Sequence, residues 1–144
     1  MPRMLRRRDV AIALLIAAGA LIAGCQASMD VRRFLVPVET IEVPPGDDTW
    51  TVAAMDLRGR TGEMFDLECR PNGSIGHVWG RDVYTDDSSI CSAAVHQGLI
   101  TKDGGGVVRF VVGPGAPSYA GGERNGVGAE PWGRWDGSFR FVMP

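Results

Sequence analysis

The chain is 144 residues long, 44% hydrophobic and 22% charged, with a formal net charge of −2. That is enough for one domain, and its apolar content is too high for a disordered chain. Twenty glycines and nine prolines point to a turn-rich fold and exclude a helical bundle or coiled coil.

Residues 1–9 carry Arg3, Arg6, Arg7 and Arg8, and an unbroken small-apolar run follows from Val10 to Ile22. As a helix that run reaches roughly 20 Å, short of the ~30 Å hydrocarbon core, so it reads as a secretory signal rather than a permanent span. The run ends in Ile22-Ala23-Gly24-Cys25, which resembles the lipobox of bacterial lipoproteins. The resemblance implies cleavage before Cys25 and acylation of that cysteine, giving a protein anchored in the envelope by two or three chains. An ordinary cleaved signal is the alternative. Gln26 is not the Asp that marks inner-membrane retention in enteric bacteria, so the outer membrane or the periplasmic face is expected.

Without residues 1–24 the chain holds 11 basic and 16 acidic residues and no long basic run, which makes nucleic acid an unsuitable partner. It also lacks a polybasic patch for anionic lipid. Membrane attachment would therefore run through Cys25.

With Cys25 lipidated, Cys69 and Cys91 remain, and an exported compartment allows them to pair. Their bridge would close a loop whose entropy is worth about 3 kcal/mol. A zinc site is the competing reading. Two cysteines with His77 and His96 show neither CxxC nor HxxxH spacing, and no metal or cofactor is expected.

Residues 25–48 read as the lipidated N-terminus and a tether, with Phe34–Val43 extended and interrupted by Pro37 as on an edge strand. The folded domain is expected over residues 49–144. Thr49–Met55, Glu63–Cys69, His77–Trp79, Val107–Val112 and Ser138–Met143 are strand candidates. The second places Phe65, Leu67 and Cys69 on one face, and the last sets Phe139, Phe141 and Met143 against Ser138, Arg140 and Val142.

Asp86 to Gly98 breaks the β pattern. Acidic residues, a serine cap, helix formers and a closing glycine predict a short helix, with Asp86 and Asp87 at its positive end. Ile90, Cys91, Ala93, Ala94 and Val95 cover about 200° of its circumference at 100° per residue, so the helix should be largely buried. The predicted architecture is α+β: one central helix wrapped by antiparallel strands.

Val78-Trp79-Gly80, Tyr84, Ser88-Ser89-Ile90-Cys91, Ala93-Ala94, His96 and Gly98 closely resemble the signature of the LCCL domain family. Gly104-Gly105-Gly106, Tyr119, Asn125-Gly126-Val127 and Trp135 followed by Ser138-Phe139 extend the likeness over about residues 50–143. The resemblance implies a helix wrapped by antiparallel β-structure and a secreted module, with lipopolysaccharide or another extracellular molecule as ligand. Family members usually carry two bridges. Only one is possible within this domain.

Catalytic readings are weaker. Cys91 and His96 lie about 140° apart on a helix, a poor geometry for a thiol dyad. Ser92 and His96 share a face, so a serine hydrolase is a third hypothesis, although no Gly-x-Ser-x-Gly elbow occurs. A structural His96, bonded to a strand or to the Tyr84 region, is preferred. Asp82, Asp86 and Asp87 lack EF-hand spacing and read as caps and turns, and Gly104-Gly105-Gly106 as a hairpin signal.

From Gly113 to Gly137, Tyr119, Trp132 and Trp135 stand among Arg124, Asn125 and Arg134. Rings and guanidinium groups in such a loop suit a sugar or a phosphorylated glycolipid. The expected function is thus a non-enzymatic, lipid-anchored LCCL-type module that binds a glycolipid such as lipopolysaccharide, a glycan, or an envelope protein. The alternative is a structural envelope protein with no small ligand.

Overall fold

The computed structural model describes residues 36–144. The signal segment, the lipobox and Cys25 lie outside the described residues. The described chain forms strands β1 (Val38–Thr40), β2 (Met64–Cys69), β3 (Gly80–Arg81) and β4 (Val83–Thr85), then helix α1 (Ile90–Gln97). Strands β5 (Gly106–Ala116), β6 (Gly122–Arg124), β7 (Val127–Ala129) and β8 (Trp135–Phe141) follow. The fold is α+β, as expected.

Six strands form one sheet in the order β1-β2-β5-β8-β4-β3, and β6 pairs with β7 in a separate hairpin. Every pairing is antiparallel except β1 with β2, which makes the sheet mixed rather than purely antiparallel. The edge strand β1 falls within the predicted extended segment, just after Pro37, where a missing N–H costs no ladder bond.

Alternation sets the sheet's two faces. Phe65, Leu67 and Cys69 of β2, Val108, Phe110 and Val112 of β5, and Phe139 and Phe141 of β8 all point into the core. Phe65 stands opposite Phe110, and Phe110 opposite Phe141. On the outer face Asp66 is paired with Arg109, whose guanidinium donates twice to the carboxylate at 2.8 Å. That cross-strand contact suits the exposed side of the pleat.

Helix α1 is buried from Ile90 to His96, with Gln97 half-buried at its end. Ser89 caps its start, accepting from the Ser92 amide, and Gly98 ends it with φ of 84°. There the Gly98 and Leu99 amides reach back to Val95 and Ala94, closing the last turn as the glycine predicted. The Cys69–Cys91 disulfide joins the helix to the end of β2. Such a bond persists in oxidising, non-cytoplasmic surroundings.

Five expectations change. Thr49–Met55 is not a strand: Asp48 accepts from the Trp50 amide and winds Thr49–Thr51 into a 3-10 turn, and Met55–Leu57 forms a second. The Trp50 indole donates to the Arg70 carbonyl at 2.8 Å, and its ring fills the space where a Cβ on Gly73 would sit. This tertiary anchor overrides the local alternation. His77–Trp79 is also not a strand. Trp79 makes a lone bridge to Glu130, and the β3–β4 hairpin begins at Gly80, turning at Asp82 with φ of 68°.

Strand β5 runs past Val112 to Ala116, because Gly113 and Gly115 let it press against β8. Strand β8 spans Trp135–Phe141, so Met143 is exposed, while Ser138 turns inward and donates to the Pro114 carbonyl. Finally, Asp86 and Asp87 precede the helix without entering its first turn. Asp86 is occupied elsewhere.

Candidate functional site

The polar side of α1 carries Ser92 and His96, the residues of the catalytic alternative. His96 has no solvent exposure. Its Nε2 lies 3.0 Å from the Gly122 carbonyl, which can only accept, so Nε2 carries a hydrogen. Its Nδ1 lies 2.9 Å from the Tyr84 hydroxyl, whose oxygen also lies 2.8 Å from Gln97 Oε1, and the single hydroxyl hydrogen serves one of these two partners at a time. Burial pushes the Tyr84 phenol up to about 12, so it serves as a neutral hydrogen-bonding group. His96 therefore ties α1 to β4 on one side and to β6 on the other.

Ser92 is committed in another direction. Its hydroxyl oxygen accepts from the Gly76 amide at 2.8 Å; the one hydroxyl hydrogen of Ser89 goes to the Trp50 carbonyl, so Ser92 donates to Ser89 Oγ at 2.8 Å. Ser92 and His96 share a helix face but not a bond, because the loop residue Gly76 and the β6 residue Gly122 have taken their polar atoms. The Ser92/His96 hydrolase hypothesis is corrected on this ground: neither side chain is exposed and no dyad forms.

Asp86 forms the second polar node. It is 1% exposed, accepts from Arg58 Nε at 2.7 Å and Nη2 at 2.8 Å, and accepts from the Trp135 indole at 2.7 Å. Burial alone would raise its pKa. The Arg58 and Trp135 donors outweigh that and hold the carboxyl below its ordinary value. Gly137 packs so close that a Cβ there would fall 1.7 Å from Asp86 Oδ2.

The six proposed ligand-binding residues divide. Tyr119 is buried, and its hydroxyl accepts from the Ala116 amide and donates to the Gly137 carbonyl. It is scaffold, because its ring faces the core. Arg124 is bonded to Asp82 at 2.6 Å, and Asn125 donates to the His96 carbonyl at 2.9 Å, supporting the helix end. Arg124 is thereby tied to the β3–β4 turn and Asn125 to the end of α1. Trp132 and Arg134 precede β8 and Trp135 opens it; Trp132 is 47% exposed and Arg134 is exposed.

Two residues outside that set complete this surface. His77 and Trp79 stack at 5.5 Å between ring centroids, Trp79 meets Trp132 edge-on at 6.1 Å, and Trp132 meets Trp135 at 6.4 Å. Arg58 lies over the Trp135 ring at 5.6 Å. His77 and Trp79 read as strand residues in the sequence. Their meeting with Trp132, more than fifty residues on, was not visible there.

Among the described residues no group of three or more metal-binding side chains comes together. None of the described helices is long and apolar enough to cross a membrane.

The described scaffold is thus one enclosed, disulfide-tied helix with its signature serines, alanines and histidine turned inward. Comparison with known families places the LCCL domain on residues 47–139, nearly the whole described fold. The chain belongs to the LCCL family. Among relatives it is 44% identical to cochlin of Cavia porcellus over 122 residues, covering 78% of this chain and 22% of that protein. It is 45% identical to vitrin of Bos taurus over 97 residues, 62% of this chain and 15% of that one. It is 36% identical to clotting factor C of Tachypleus tridentatus over 90 residues, 61% of this chain and 9% of that one. The LCCL chain therefore spans less than a quarter of the length of these curated relatives. What is shared is the module.

Proposed function

We propose that this LCCL chain is a non-enzymatic, extracytoplasmic binding module, lipid-anchored through Cys25 in a bacterial envelope. Its ligand is a glycolipid, a polysaccharide or an envelope protein, received on the surface that carries Trp132. One observation carries the reading. The polar atoms of α1 are consumed internally, whereas Trp132 keeps nearly half of its ring exposed on a backbone fixed in both directions to Tyr119. A large aromatic side chain held rigidly in solvent loses little entropy when it is covered.

The anchor and the ligand are tested separately. Globomycin-sensitive processing with membrane fractionation should show Cys25 acylated and the protein in the membrane pellet. Soluble, unacylated protein would remove the anchor. Full-length protein should capture glycolipid or polysaccharide on a glycan array and a lipopolysaccharide pull-down. Capture of nothing there, with crosslinking in cells to one envelope protein, would assign the ligand to the protein class. An ester turnover lost on His96→Ala in a folded variant would overturn the non-enzymatic reading.

A further inference from the structure

We infer that the groove between residues 41–48 and residues 51–56 docks a cationic, partly apolar segment of a partner polypeptide. It is a second surface, lined by none of the clustered rings around Trp132. The groove holds about 770 Å³. Its apolar part is made by Ile41, Val43 and Val52, half-buried against the core, and by Met55, which is 48% exposed.

Charge selects the partner. Glu42, Asp47, Asp48 and Asp56 line the same groove, all four are exposed, and no basic side chain stands among its lining residues. Among the described residues none of the four is in an ion pair, whereas Glu39 and Glu63 share Arg60, Asp66 has Arg109 and Asp82 has Arg124. Arg70 reaches this loop but donates to the carbonyls of Asp47, Val43 and Pro44, not to a carboxylate. It stiffens the main chain there, and Asp48 is fixed by accepting from the Trp50 amide. The groove is therefore shaped before anything binds, and its negative charge is left uncompensated.

A cationic segment answers both features at once. An arginine stem covers apolar surface such as Met55 while its guanidinium pairs with a carboxylate, and an adjacent apolar side chain adds buried area. Other occupants fit worse. A phosphorylated glycolipid meets like charge, and a neutral sugar finds no aromatic ring in the groove to stack on. A metal ion finds no three side chains gathered to hold it among the described residues. A purely apolar peptide would cover carboxylates and leave them without partners.

The test is fluorescence anisotropy of full-length protein in non-ionic detergent with a labelled hexapeptide of alternating arginine and leucine. Its glutamate–leucine and arginine–serine counterparts and spermine serve as unlabelled competitors. The arginine–leucine peptide should bind, more weakly as salt rises, and each competitor should displace it at least tenfold less well than the same peptide unlabelled. Glu42→Gln combined with Asp56→Asn should weaken binding about tenfold, at roughly threefold for each carboxylate. Met55→Ser should weaken it about threefold, and Glu123→Gln, an exposed acid outside the groove, should change nothing. Circular dichroism of each variant should match the parent. No binding of the arginine–leucine peptide, equal displacement by spermine or the glutamate–leucine peptide, or unchanged affinity in the double variant would overturn the docking site. A dimer of the free protein that the double variant abolishes, seen by sedimentation, would give the groove to a second copy and overturn it too. None of these results touches the Trp132 surface, which glycan and lipopolysaccharide capture tests on its own.

Discussion

Replacing His96 by alanine tests the claim that the signature histidine is scaffold. The imidazole bridges the Tyr84 hydroxyl and the Gly122 carbonyl with no solvent exposure. Each lost bond is worth about 1 kcal/mol, and the Gly122 carbonyl left without its donor adds roughly 1–3 kcal/mol. The ring also packs edge-on against Tyr84, so its removal leaves a cavity. The total is about 3–5 kcal/mol, a fall in Tm on the order of 15 °C for a domain of this size. Chemical denaturation monitored by tryptophan fluorescence reads this directly, with the midpoint falling while the slope is unchanged. A His96→Ala protein with a wild-type midpoint would refute the reasoning, because two buried bonds and a cavity cannot vanish at no cost.

Other perturbations follow from the same geometry. Converting both Cys69 and Cys91 to alanine should lower stability by about 3 kcal/mol through the released loop, measured by urea unfolding. Gly137→Ala should cost about 1–3 kcal/mol in the same assay, since its methyl group would displace Asp86 from Arg58 and Trp135. The pH dependence has two arms. Asp86 is held below its ordinary value of 3.8, so its stabilising share is present above that value and is lost as pH falls further. Tyr84 is raised from 10.0 to about 12, so its share is complete below pH 10 and is lost as pH rises toward 12. Thermal unfolding from acid to alkaline pH should show a decline at each end.

The elements legible in the sequence are those specified by near neighbours. Ser89 and Gly98 bracket α1, because a cap hydroxyl and a left-handed glycine act within one turn. Phe65-x-Leu67-x-Cys69 marks β2 through the two-residue period of the pleat, and cysteine parity together with export pointed to the bridge. What stayed hidden depends on distant partners. Trp50, Val52 and Ala54 alternate as a strand would, yet the bond from Trp50 to Arg70 bends the chain into turns. Asp86 looked like a helix-end charge, but Arg58, 28 residues away, takes it into an ion pair. The aromatic cluster is illegible for the same reason, since Trp79 and Trp132 meet only after the fold has closed.

Hydroxyl-radical footprinting of full-length protein, with and without isolated envelope glycans, tests the account most directly. It predicts that Trp132 is oxidised in the free protein and protected in the bound one, while His96 and Ser92 are unlabelled in both. Equal labelling of Trp132 in the two states, with His96 labelled when free and shielded when bound, would contradict it.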